Sequence, residues 1–142
     1  MAGANIRAKD VIIGRAFRDQ LTDIGELTAE NGLVTIQGMV ESIETKVLRN
    51  GEVLLCTFKI TDKTGSVLCR CFLNCHRYGH KEDEADSIIV DNRSAVVRKV
   101  NRITVGMAVT VRGEYTYDTE TGGLYILVRD LVLKKTDVQA PT

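Results

Sequence analysis

Two alternating apolar and polar runs, set back to back and joined by four turn-forming residues, constrain this chain most. From Val53 to Thr61, the side chains of Leu54, Cys56, Phe58 and Ile60 fall on one side, with Leu55, Thr57, Lys59 and Thr61 on the other. From Ser66 to Leu73, the positions Val67, Cys69 and Cys71 alternate with Leu68, Arg70 and Phe72. A period of two sends successive side chains to opposite faces of a strand, so each run predicts a strand with one buried face. Asp62-Lys63-Thr64-Gly65 between them carries tight-turn residues. The two runs therefore form an antiparallel hairpin.

Upstream, after the Asn31-Gly32 turn, Val34, Ile36 and Met39 to Ile43 outline a long strand, whose Gly38 predicts a bulge or bend. It leads through Lys46-Val47-Leu48 into Arg49-Asn50-Gly51-Glu52, a hairpin tip with an Asn-Gly pair suited to positive φ. Three consecutive antiparallel strands result. Downstream, apolar positions 96, 97, 100 and 103 within Ser94–Ile103 fit a one-sided helix with Arg98, Lys99 and Arg102 on its other side. Alternation returns at Met107, Val109 and Val111, is broken by Gly113, and continues to Tyr117. Asp118 to Gly123 make a turn, and Leu124 to Leu133 a last strand. Residues 1–33 read as a lead-in, 74–92 as an inserted solvated loop with an acidic run at 82–86, and 134–142 as a polar linker.

Five strands in so small a chain would leave long exposed edges in an open sheet, and closing them into a barrel removes those edges. Three meandering strands, a helix and a final hairpin give an all-β architecture. It is the OB-fold, a five-stranded Greek-key barrel over 34–133 with the helix between strands three and four. Gly38 and Gly113, bending the first and fourth strands, favour the barrel over a flat meander. Such a barrel binds ligands on strands two and three and on the loops between strands one and two and between four and five.

A single strand of nucleic acid needs cations for its phosphates and flat side chains for its bases. On that surface the candidates are Lys46 and Arg49 in the first hairpin, Lys59 and Arg70 on adjacent strands, and Phe72 beside Arg70. Lys63 extends the surface from the turn after strand two, and Tyr115, Tyr117, Arg112 and Arg129 approach the other loop. Each has a plainer role available: lysine and arginine keep a sheet face soluble, Phe72 can close the barrel against the helix, and the tyrosines can be packing pairs. Nineteen basic residues balance nineteen acidic ones, so any affinity for a polyanion must come from local charge.

Other chemistries find little support. No paired-carboxylate motif, phosphate-cradling glycine loop or nucleophile elbow occurs, and neither catalysis nor a cofactor is expected. The four cysteines Cys56, Cys69, Cys71 and Cys75 read as reduced core residues. A zinc site would have to combine Cys71 and Cys75 with His76 and His80, a spacing that matches no familiar motif and takes Cys71 from the core. No apolar run reaches membrane-span length, and a cytoplasmic protein is the expectation.

Val34-Thr35-Ile36-Gln37-Gly38-Met39-Val40 and the segment Leu54 to Ser66 resemble the OB domain of PolC-type DNA polymerase III, the replicative alpha subunit of Gram-positive bacteria. Val105 to Glu114, Tyr117-Asp118-Thr119 and Val128-Arg129-Asp130-Leu131 are similar to the closing hairpin of that domain. The resemblance runs in order over roughly residues 11–138. Residues 134–141 resemble the approach to the histidine-rich PHP domain that follows in that family. It implies a non-catalytic domain cut from a DNA-directed polymerase, a nucleotidyltransferase with 3'–5' exonuclease activity. It also implies single-stranded template DNA, with the remaining polymerase chain or other replisome proteins, as partners. Two alternatives stand beside DNA binding: a protein-interaction barrel anchored by Val53, Leu55 and Leu68, and an RNA- or tRNA-binding module.

Overall fold

The computed structural model of this chain describes residues 8–17, 19–80, 87–91 and 93–134. In chain order its strands are β1 (Val11–Ile13), β2 (Leu33–Leu48), β3 (Val53–Thr61), β4 (Ser66–Asn74), β5 (His76–His80), β6 (Ser87–Asp91), β7 (Ala108–Tyr117) and β8 (Leu124–Leu133), with helix α1 (Arg93–Asn101) before β7.

β2 is 16 residues long because it serves two neighbours. Its first half pairs with β7, Val34 opposite Gly113 and Gly38 opposite Val109. Its second half pairs with β3, Val40 opposite Ile60 and Leu48 opposite Val53. The handover falls at Gly38, where a Cβ would sit 2.5 Å from both the Thr61 carbonyl oxygen and Ile60 Cγ2. Only a residue without a side chain lets the strand turn that tightly over its neighbour. β3 and β4 pair along their whole length, from Val53 opposite Asn74 to Thr61 opposite Ser66. β7 and β8 form the second hairpin, with a register shift between Arg112 and Gly113. A short parallel pairing, Cys69 with Ile126 and Arg70 with Leu127, joins β4 to β8. The cycle β2–β3–β4–β8–β7–β2 is then complete. This is the five-stranded OB barrel.

The inward halves of the alternations fill it. Ile36, Val40, Cys56, Phe58, Ile60, Cys69, Val109, Val111, Ile126 and Leu131 are fully buried. Val96 and Val100 of α1, with Ile103 just beyond it, join the buried core, while Val97, one step off that stripe, is exposed rather than packed. All four cysteines are free and buried. Burial pushes the thiol of Cys56 up to about 11 and that of Cys71 to about 12, so both stay protonated and unreactive.

The lead-in packs into this body. β1 pairs with β8, Val11 opposite Val132 and Ile13 opposite Leu131, and Ile12, Ile13, Phe17 and Ile24 are buried. Asp62 ties the segment to the β3–β4 turn. One carboxylate oxygen accepts the Ile24 N–H at 2.9 Å, and the other accepts the N–H groups of Thr64 at 2.7 Å and Gly65 at 3.0 Å. Burial raises the Asp62 pKa, but bonds from the Thr64 hydroxyl and these backbone groups outweigh it and lower the value. In the 74–92 insertion, expected as a loop, β5 and β6 instead pair as a hairpin, His76 opposite Asp91 and His80 opposite Ser87. The β-branched run Ile88-Ile89-Val90 has the strand preference for this. The acidic run at 82–86 lies outside the described residues, as does the tail after Lys134.

Gly113 marks the tightest approach in the barrel: a Cβ there would lie 2.2 Å from the Leu127 carbonyl oxygen and 2.8 Å from Ile126 Cγ2. Gly113→Ala is expected to destabilise the fold by about 2–3 kcal/mol, the usual scale for overpacking. In urea unfolding the midpoint should fall with the slope unchanged; a midpoint equal to wild type would contradict this contact.

Candidate nucleic-acid interface

The outward positions of the sheet line up in rows. Lys46 lies opposite Leu55, and Leu55 opposite Phe72. In the next row Glu44 faces Thr57, Thr57 faces Arg70, and Arg70 meets Leu127 across the parallel seam. In the third, Ser42 faces Lys59 and Lys59 faces Leu68. One face of β2, β3, β4 and β8 therefore carries Lys46, Lys59, Arg70 and Phe72 together.

Phe72 is 50% exposed, so its ring lies on the sheet rather than closing the barrel. Lys59 Nζ stands 3.8 Å from Glu41 Oε1, with both side chains about half exposed; such a loose surface pair contributes little and exchanges readily. Lys46, Arg49 and Lys63 are exposed. Arg49 opens the β2–β3 tip with φ 53°, followed by Gly51 at 91°, while Lys63 sits at the opposite end of β3 in the β3–β4 turn.

Arg70 is held on two sides. Its Cζ lies 4.5 Å from the centroid of the Tyr125 ring, and its NH1 donates to Asp118 Oδ2 at 2.9 Å. Asp118 also anchors its own loop: Oδ1 accepts the Glu120 N–H at 2.9 Å, and its backbone exchanges bonds with Gly122 and Gly123 at 2.8 Å. The Glu120 N–H, the Arg70 bond and the Thr121 hydroxyl together lower the Asp118 pKa to about 2. Tyr125 and Asp118 were not among the expected site residues. Asp118 reads in sequence only as a turn former, and Tyr125 meets Arg70 only through a parallel seam that local pattern does not reveal.

Four of the expected residues fall outside these rows. Arg112 is enclosed between β8 and the lead-in: Nε and NH2 reach Oδ2 of its cross-strand partner Asp130 at 2.9 and 2.8 Å, NH1 reaches Asp19 at 3.3 Å, and Cζ lies 4.7 Å from the Phe17 centroid. These contacts raise its pKa, the Asp130 hydrogen bond foremost. It is a structural cation. Tyr115, opposite Ile126, packs against the core. Arg129 is exposed at the β7–β8 register shift, with Gly14 of the lead-in against its carbonyl. Val53, an anchor in the protein-interaction alternative, is buried. Tyr117 ends β7 and is 57% exposed. Of the zinc alternative, Cys71 and Cys75 are buried and the side chains of His76 and His80 lie outside the described set; among the described residues no group of three or more possible ligands converges. No helix among the described residues is long and apolar enough to cross a membrane.

No protein-family model matches the chain. Among curated proteins it is 32% identical over 133 residues to the PolC-type DNA polymerase III of Halalkalibacterium halodurans, covering 94% of this chain and 8% of that protein. It is also 32% identical to the PolC-type DNA polymerase III of Bacillus subtilis, over 90% of this chain and 7% of that protein. The chain thus spans 7–8% of the length of the relatives it matches. Among solved structures, asparaginyl-tRNA synthetase from Pyrococcus horikoshii superposes with a TM-score of 0.51 at 19% identity, over 86% of this chain and 24% of that one. An OBody bound to hen egg-white lysozyme gives 0.51 at 15% identity, over 87% of this chain and all of that one. These two share the fold.

The Arg70–Asp118 attachment makes a testable demand on acid stability. The Asp118 carboxyl titrates lower in the folded chain than its ordinary value of 3.8, so the stability it contributes is full above 3.8 and is lost as the pH falls toward about 2. Asp118→Asn should melt below wild type at neutral pH, and the gap should close across that window. A gap independent of pH would contradict the attachment.

Proposed function

Starting from the premise that this chain belongs with PolC-type DNA polymerase III as a relative of one OB-fold segment, we propose that it is a non-catalytic domain that holds single-stranded DNA. The DNA would lie across the outer face of β3, β4 and β8 and the two adjoining loops. In this reading the domain serves a replicative, DNA-directed polymerase in the cytoplasm, with the rest of that polymerase or another replication protein as its second neighbour.

The observation that carries the proposal is the half-exposed Phe72 ring in one row with the exposed Lys46, across Leu55, a base platform two strands from a cation on the same face. Stacking on an aromatic ring tolerates any base, and a lysine alongside meets the backbone. Lys59, Arg49 and Lys63 extend the cationic track, Arg70 on Tyr125 occupies its centre, and Tyr117 supplies a second ring at the β7–β8 loop. Arg112, Tyr115 and Arg129 take no part. A balanced net charge goes with modest, salt-sensitive binding rather than tight binding. The polymerase relatives favour DNA over RNA.

Fluorescence anisotropy of labelled oligothymidylate at low salt tests this. Phe72→Ala is expected to weaken binding by about 1–3 kcal/mol, the cost of one lost stacking platform. Lys46→Ala should flatten the slope of log affinity against log salt by about 0.7, one phosphate contact on a single strand. Both variants should melt as wild type does, because both side chains are exposed. No binding at low salt, or full affinity in Phe72→Ala, would defeat the proposal.

A further inference from the structure

Resting on that reading of the sheet face, we infer that Asp118 is an intramolecular stand-in for a nucleic-acid phosphate. It is held against Arg70, so that a bound strand reaches the centre of the face only by displacing it. Arg70 occupies the middle row, between Thr57 on β3 and Leu127 on β8. Its guanidinium lies over the Tyr125 ring and turns an N–H edge toward a carboxylate oxygen 2.9 Å away. Guanidinium groups bind carboxylate and phosphate through the same donor edge, so this is the arrangement that would receive a backbone phosphate, already filled. The occupant is replaceable. Asp118 lies just past the end of the β7–β8 ladder at Tyr117 and Leu124. Its remaining bonds, to Glu120, Thr121, Gly122 and Gly123, are all within its own loop. The loop can therefore move off the sheet without losing its internal bonds, leaving Arg70 on Tyr125 for the incoming phosphate. While the pair holds, the centre of the face is electrically neutral, and Lys46 and Phe72 must engage a strand first.

The competing role for the pair is to fix the loop and nothing more. Asp118→Asn separates the two, because it keeps the oxygen that accepts the Glu120 N–H and removes the charge. Displacement predicts that this variant binds oligothymidylate about fivefold more tightly near 0.1 M salt, with a slope steeper by about 0.7. The double variant Arg70→Gln, Asp118→Asn should lose that gain. Affinity and slope equal to wild type, or a gain that survives loss of Arg70, would overturn the inference while leaving the binding face intact. Should Asp118→Asn melt below the assay temperature, the wild-type chain decides. Its Arg70 Nε–Hε and Tyr125 ring resonances must shift together as the oligonucleotide saturates the protein, and signals unmoved at saturation overturn the inference. If neither wild type nor variant binds, the reading of the face falls and this inference falls with it.

Discussion

Two residue pairs, Cys69 with Ile126 and Arg70 with Leu127, join the two hairpins of this protein into one ring. Without that parallel seam, β3–β4 and β7–β8 would each end in an unpaired edge, and unpaired edges invite pairing with other chains. Parallel contacts between strands so far apart in sequence are held by geometry around them rather than by their own length. Gly38 lets β2 pass from β7 to β3, and Gly113 lets β7 press against the backbone of β8. The same seam brings Arg70 of β4 onto Tyr125 of β8 and draws the Asp118 loop to the sheet. Barrel closure and the centre of the candidate interface are thus one event.

The division of labour between the two faces follows from burial. Inward positions are apolar or thiol, and the low polarity that suits Cys56 and Cys71 to the core keeps them protonated. Outward positions split into two classes. Where the lead-in crosses, a cation is surrounded and fixed, as Arg112 is by Asp19, Asp130 and Phe17. Where none of the described segments crosses, Lys46 and Phe72 stay exposed. Residue type alone does not separate these classes; what covers the position does.

That distinction also marks how far the sequence was legible. The alternation of Val53–Thr61 and Ser66–Leu73 gave the correct inward and outward sets, and with the glycine positions it was enough to reach the five-stranded barrel. Local period determines strand faces, so those expectations held wherever neighbours in sequence decide the outcome. The surroundings of Arg112 and Val53 were not legible, because they come from segments distant in sequence: Asp19 and Phe17 of the lead-in and Asp130 of β8 around Arg112, and the packing that buries Val53. Tyr125 and Asp118 were missed for the same reason. The hairpin of β5 and β6 was hidden by the charged residues between its strands. The resemblance to a polymerase segment, carried by residues such as Tyr117-Asp118-Thr119, agreed with the relatives found at 32% identity.

Closure of the ring is the claim on which the rest turns, and nuclear Overhauser contacts between backbone protons of β4 and β8 measure it directly. A closed barrel predicts cross-strand contacts from Cys69 to Ile126 and from Arg70 to Leu127, alongside those of the β3–β4 and β7–β8 hairpins. Hairpin contacts present with these two absent would mean an open sheet, with Arg70 and Tyr125 on separate surfaces.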